Sequence, residues 1–375
     1  MRVGQFIDTE SAGGAETIAL DLCRQLQARA LEPVLLHFGS SYLEERARHY
    51  GIEQQIVPSW RQYKSFTTLP QFALQFRRFL QQQNIDVLHS HLYGPITAAA
   101  PACLLAGIPH VGTLHDVYVV AERPARIRLL QVAALLGTRL VCVSRDMENF
   151  YRQRAYFGKQ ALRTIYNGIR SMSAPNTTGL REALGLSDSD VVITCVGRLA
   201  GLKNHHLLLR AFSRLDPGLS ARLLIVGDGP LREQLELLAT ELGVAAQVRF
   251  LGQRNDIPEL LAVSDLFALA SDTEGLSCSV LEAMSAGLPA VVTAVGGNPE
   301  LVIDGLTGFL VEPGDDQGLR EHLQTLALDT ALRQQLGRAA RQRAAALFSL
   351  DLMLEGYLRL YPILSQAATE ATRGD

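Results

Sequence analysis

Short apolar runs recur along the chain at 2–7, 33–37, 54–57, 86–89, 111–114, 140–143 and 163–165. They return at 191–196, 222–226, 248–250, 266–268, 290–293 and 308–311. Between them lie stretches with apolar residues at helical spacing, such as 15–29 and 69–82. A strand covered on both faces reads as an unbroken apolar run, and a helix between two such strands makes a parallel crossover. The pattern predicts an α/β protein built on doubly wound parallel sheets. The alternation lapses once, at 171–190 (SMSAPNTTGLREALGLSDSD), where Ser, Pro, Asn, Thr and Gly cluster. That marks a linker followed by one short helix, and it divides the chain into domains 1–170 and 171–348. Ligands of such sheets belong at the carboxyl ends of the strands, here in the cleft expected between the domains. Residues 329–366 read as wholly helical. Their last part has Ser349 as a candidate N-cap and Leu350, Met353, Leu354, Tyr357, Leu358 and Tyr361 at helical spacing. The end, SQAATEATRGD, reads as a disordered tail.

Composition narrows this picture. With 47% hydrophobic and 19% charged residues the chain has the make-up of a globular protein. The start, MRVGQFIDTE, has a single basic residue and no secretory pattern. The most apolar stretch, 95–109, is interrupted by Pro95, Pro101 and Pro109, so no membrane span is expected. Cys23, Cys103, Cys142, Cys195 and Cys278 are scattered among apolar neighbours without metal-ligand spacing, as small core residues of a reducing compartment would be. A cytoplasmic location is the expectation. Residues 1–170 hold 19 Lys and Arg against 13 Asp and Glu, whereas 171–375 hold 16 against 25. The basic half suits an anionic surface, and the acidic half disfavours nucleic acid.

Candidate chemistry gathers just after the apolar runs. Behind the first, DTESAGGAETIALDLCRQL places Gly13 and Gly14 directly before a helix, where the lack of a side chain lets backbone amides approach an oxyanion. The spacing is not G-x-G-x-x-G, so a nicotinamide cofactor is disfavoured. In VVITCVGRLAGLKNHHLLLRAF, Arg198 and Lys203 follow a strand and precede a helix, placed to clamp a diphosphate. Gly227 opens the next glycine turn, IVGDGP. Arg254 and Asn255 sit on a turn that could offer backbone groups to a planar base. In DTEGLSCSVLEAMSAGLPA, Glu274 precedes a helix and Glu282 lies within it, with Gly275, Leu276 and Ser277 at the helix entry. A separation of roughly 10–12 Å is too long for one shared metal ion but suits two hydroxyl-bearing groups flanking an anion held by helix-end amides. A nucleoside diphosphate sugar fits this layout, with ribose at Glu282, diphosphate at Arg198 and Lys203, and sugar hydroxyls at Glu274.

The strings VGRLAGLKN, LLIVGDGPLREQLE, VRFLGQRNDIPELLAVSD, SDTEGLSCSVLEAMSAGLPAVVTAVGGNPELV and DGLTGFLVEPGD, with GGAETIALDLCRQL near the start, resemble glycosyltransferase family 4, the retaining glycosyl transferases of group 1. The resemblance spans nearly the whole chain. It implies the GT-B fold, two Rossmann-like domains with the final helix, about 349–366, crossing back to the first. It implies diphosphate binding by Arg198 and Lys203, ribose binding by Glu282, the donor sugar near Glu274, and backbone around Arg254 against the base. It also implies no cofactor beyond the nucleotide-sugar substrate and no metal; the Asp188-x-Asp190 string precedes its strand, at the wrong end of a parallel sheet for a ligand. A family histidine ending a first-domain strand in a T-x-H setting matches His115, after Thr113, and is expected to contact the donor sugar. His91 is expected to be structural or on the acceptor side.

The reading that results is a retaining hexosyltransferase. It moves a sugar from a UDP-sugar, or next a GDP-sugar, to a saccharide or lipid-linked saccharide hydroxyl in polysaccharide or cell-envelope glycan synthesis. A nucleotide-sugar epimerase and a non-catalytic nucleotide-sugar-binding module are the alternatives. Residues 59–80 interleave Trp60, Tyr63, Phe66, Phe72, Phe76 and Phe79 with Arg61, Lys64, Arg77 and Arg78, and RPARIRLLQ holds Arg123, Arg126 and Arg128. Either stretch could rest on the inner leaflet as a peripheral membrane contact, although Phe72, Phe76 and Phe79 also have the spacing of a core-facing helix.

Overall fold

The structure, a computed structural model, describes residues 1–9, 13–58, 63, 67–171 and 175–361. It falls into two compact units, Met1–Gly168 with the segment from Leu350 onward, and Ile169–Ser349. The division lies two residues before the expected 170/171. Ile169 already belongs to the second unit, where its N–H donates to Phe348 O and its backbone bridges Ser349.

In the first unit seven parallel strands stand in the order β3-β2-β1-β4-β5-β6-β7. They are β1 (Arg2–Phe6), β2 (Glu32–His37), β3 (Glu53–Ile56), β4 (Val87–His91), β5 (His110–Leu114), β6 (Arg139–Cys142) and β7 (Leu162–Thr164). In the second unit six strands stand in the order β10-β9-β8-β11-β12-β13. These are β8 (Val191–Val196), β9 (Ala221–Val226), β10 (Val248–Gly252), β11 (Leu266–Leu269), β12 (Ala290–Thr293) and β13 (Gly308–Val311). Each is a doubly wound, Rossmann-like parallel sheet, and the central strands are buried along their length. In both sheets the order reverses beside the first strand, between β1 and β4 and between β8 and β11. That reversal opens the crevice at which open α/β sheets take ligands.

Some expectations are revised. The region 329–366 is not one helix: Thr330–Leu347 ends at Phe348, whose backbone leaves the helical region, and a second helix covers Leu350–Leu358. The aromatic spacing at 72–79 is a core stripe and not a membrane face. Phe72 and Phe76 are fully buried against Phe6, Leu36 and Leu88, and Phe79 packs onto them. Trp60, Arg61, Lys64 and Phe66, and the tail 365–375, lie outside the described residues. No described helix is long and apolar enough to cross a membrane. Cys23, Cys103, Cys142 and Cys195 are buried, whereas Cys278 is partly exposed.

Candidate active site

In the second unit the loop after β8 and the loop after β11 meet at the reversal. Lys203 Nζ lies 2.5 Å from Glu274 Oε1, an ion pair spanning 71 residues of sequence. The same oxygen accepts from Ser271 Oγ at 2.7 Å. The two loops are tied twice more: Asp272 N–H donates to Leu202 O, and Asn204 Nδ2 donates to Asp272 Oδ1 at 2.8 Å. Asn204 holds this place in the left-handed region (φ +44°), which asparagine tolerates better than most residues, and its Oδ1 caps the helix His205–Ser213 by accepting from Leu207 N–H. Arg198 is exposed, and among the described residues its side chain makes no hydrogen bond or ion pair.

Glycines let the surrounding backbone close in. A Cβ on Gly227 would sit 2.1 Å from Gly197 O, and one on Gly229 2.4 Å from Leu199 O. At Gly296 (φ +52°) it would sit 1.8 Å from Glu274 O. The Gly296 loop therefore rests directly on the backbone of Glu274, and Gly297 N–H donates to Gly275 O. Ser277 caps the helix Cys278–Ala286 by accepting from Val280 N–H. Gly275, Leu276 and Ser277 are buried at that helix entry, and Glu282 is half-buried one turn in. Arg254 is exposed, its guanidinium held bidentate by Asp256 at 2.8 and 2.6 Å.

The Asp188-x-Asp190 string has a structural task. Asp190 is buried and accepts from Ser220 Oγ and Ser187 N–H, with Arg222 3.3 Å away. Burial opposes its charge, but those donors prevail and hold its pKa down at about 2. Among the described residues no group of three potential ligands could hold a metal ion.

In the first unit the helix Gly14–Ala28 begins beyond β1 with Gly13 as its N-cap, exposed and extended. Glu16, in its first turn, is buried, which raises its pKa. At the carboxyl ends of β1, β4 and β5 stands a row of imidazoles. His91 Nε2 lies 2.8 Å from Gln5 Oε1, and His91 Nδ1 lies 3.1 Å from His115 Nε2. His89 stacks on His91 with ring centroids 4.4 Å apart. Its nitrogens reach Tyr361 Oη (3.0 Å) and Thr113 Oγ1 (2.7 Å), and Thr113 in turn meets Tyr357 Oη. Further back, His110 bridges Ser90 and Thr138. Desolvation lowers the pKa of all four histidines, His110 and His115 to about 3, so the imidazoles are neutral.

The structure thus gathers Lys203, Glu274, Gly275, Leu276 and Ser277 on one edge of the second unit and His91 and His115 on one edge of the first. Gln5, Asn204, Ser271 and Asp272 were absent from the sequence reading. Only Asn204, next to Lys203 at a helix start, had a local signal.

Two family models cover the chain almost end to end, Glycosyltransferase Family 4 over residues 12–171 and Glycosyl transferases group 1 over 176–343. The chain is 30% identical over 366 residues to N-acetyl-alpha-D-glucosaminyl L-malate synthase of Bacillus anthracis, covering 94% of each. It is also 30% identical to the UDP-Gal:alpha-D-GlcNAc-diphosphoundecaprenol alpha-1,3-galactosyltransferase of Escherichia coli, covering 74% of each. Among solved structures, HepE of Anabaena in complex with UDP and glucose superposes with a TM-score of 0.82 at 25% identity, over 98% of this chain and 100% of that one.

Proposed function

This chain belongs to the group 1 glycosyltransferases of family 4, and from that premise we propose that it transfers a hexosyl group, with retention of configuration, from a nucleotide diphosphate sugar. A UDP-sugar is the first choice and a GDP-sugar the second; the acceptor is a saccharide or lipid-linked saccharide hydroxyl. The diphosphoundecaprenol-linked acceptor in the name of the E. coli relative supports a role in glycan or cell-envelope biosynthesis. The UDP-Gal in the name of the E. coli relative and the UDP held by HepE favour uridine.

The observation that carries this reading is the Lys203–Glu274 pair with Ser271 at the sheet reversal. Leaving-group departure builds negative charge on the diphosphate, and fixed cations aimed at that charge lower the barrier. Lys203 and the unpartnered Arg198 side chain are the cations on this edge, and the amides of the Cys278–Ala286 helix entry add to them. Glu274 cannot bind phosphate beside them without repulsion, so it accepts hydroxyls of the transferred sugar while holding Lys203 in place. Glu282 takes the ribose, and backbone near Gly227 and Arg254 lies against the base. On the first unit, His115 contacts the donor sugar, and Gly13 and Gly14 border the reacting end. No metal or cofactor has a role in this scheme.

The test is a transfer assay over a panel of UDP- and GDP-sugars with saccharide acceptors, reading the product's anomeric configuration by NMR. One donor class should give a product of retained configuration, and Lys203→Ala and Glu274→Ala should each remove most transfer while the fold persists. Wild-type turnover in either variant, or an inverted product, overturns the assignment. Isomerised donor with no acceptor requirement would instead mark an epimerase.

A further inference from the structure

The imidazole row of the first unit has a polarity. A carbonyl oxygen can only accept, so Gln5 Oε1, 2.8 Å from His91 Nε2, requires the proton on that nitrogen. A neutral His91 then has a lone pair on Nδ1, and that lone pair, 3.1 Å from His115 Nε2, requires the proton there. The remaining nitrogen, His115 Nδ1, then carries a lone pair, and His115 is partly exposed. The rest of the row holds this arrangement in place. His91 and Gln5 are fully buried, and His89, locked between Tyr361 and Thr113, stacks on His91. The other end of the Gln5 amide, Nε2, makes no hydrogen bond of ordinary geometry. Burial raises the pKa of the Tyr361 hydroxyl, and the neighbouring Gln5 side chain acts against that rise.

We propose that Gln5 and His91 are positioning residues that fix His115 as its Nε2–H tautomer, presenting Nδ1 as a hydrogen-bond acceptor for one hydroxyl of the donor sugar. The claim deepens the reading of His115 as a donor contact, and rests on it. A site built to accept a hydroxyl proton rejects a sugar lacking that hydroxyl, because the buried partner is left unmatched. Had the chain run the other way, His115 would donate and the selectivity would fall on a different atom of the sugar.

The relay is tested on the full-length wild-type chain labelled with 15N-histidine at pH 7.5. The His91 and His115 signals, assigned by their loss in His91→Phe and His115→Phe, should each show a single Nε2–H tautomer. A proton on His115 Nδ1 overturns the proposal. Gln5→Met removes the acceptor that sets the polarity. It should admit the second tautomer and weaken binding of the sugar nucleotide about fivefold, the value of one net hydrogen bond. Binding of the free nucleoside diphosphate should not change. Equal loss for both ligands shows general disruption and refutes the positioning role. The reading beneath it has its own arm. UDP-glucose, or the member of the UDP- and GDP-sugar panel that most raises the Tm, is compared with its mono-deoxy analogues. One hydroxyl should matter to the wild type and not to His115→Phe. If His115 shows the Nε2–H tautomer but His115→Phe keeps every preference, the relay exists and the sugar contact is wrong.

Discussion

Lowering the pH from 7.5 to 5.5 should destabilise the first unit more than the second, because His89, His91, His110 and His115 are buried there as neutral rings, against His205 in the second. A histidine whose folded pKa lies far below its unfolded value costs nothing above about pH 6.5. Below that, the unfolded chain takes up protons that the folded state refuses. For His110 and His115, with folded values of about 3 against 6.5, the cost at pH 5.5 is roughly 1 kcal/mol each. His37, His89 and His91 are lowered by the same desolvation and add to the loss. The raised pKa values of Glu16 and Asp116 work in the opposite direction. Against a domain stability of about 5–15 kcal/mol the loss is large. Urea unfolding followed by circular dichroism measures it: with an m-value of roughly 2 kcal/mol/M, the first-unit midpoint should fall by about 1 M or more. His110→Asn, which removes one titrating ring, should lessen the pH dependence by roughly 1 kcal/mol, whatever it does to stability at pH 7.5. A midpoint indifferent to pH over this range would refute the neutral, buried row.

Two other substitutions probe the second unit. Gly296→Ala drives a methyl group into Glu274 O at a left-handed backbone position, so it should cost more than about 2 kcal/mol in urea unfolding and weaken donor binding. Asn204→Gly keeps the left-handed turn but removes the tie to Asp272. It should weaken sugar-nucleotide binding severalfold with little loss of stability, whereas Asn204→Ala adds about 1 kcal/mol of backbone strain. Equal stability of the two variants would show that the turn is not strained.

Much of this architecture was legible in the sequence for a plain reason. Each of the thirteen described strands lies within two residues of an expected one, because most positions of strands covered on both faces are apolar. The loops bearing Lys203 and Glu274 were legible from their place after strands β8 and β11. What pairs across distance was not: nothing near Gln5 marks it as the partner of His91, 86 residues away. Tyr357 and Tyr361 looked like ordinary apolar positions of a final helix, and nothing near them marked their hydroxyls as partners of Thr113 and His89. The break at Phe348–Ser349 was hidden because helical spacing continues through it, while the bridge to Ile169 that interrupts it is tertiary. Phe72, Phe76 and Phe79 had the spacing of a core-facing helix inside a stretch that could also suit a membrane surface, and packing against Phe6 bears out the core.

The central claim is that the edge carrying Arg198, Lys203 and Glu274 grips a sugar nucleotide, and calorimetric titration of the UDP- and GDP-sugar panel tests it most directly. At least one member should bind the wild type, and Arg198→Ala and Lys203→Ala should each weaken that binding by about tenfold or more, the worth of a charge-assisted hydrogen bond. Undiminished affinity in both variants would contradict the account.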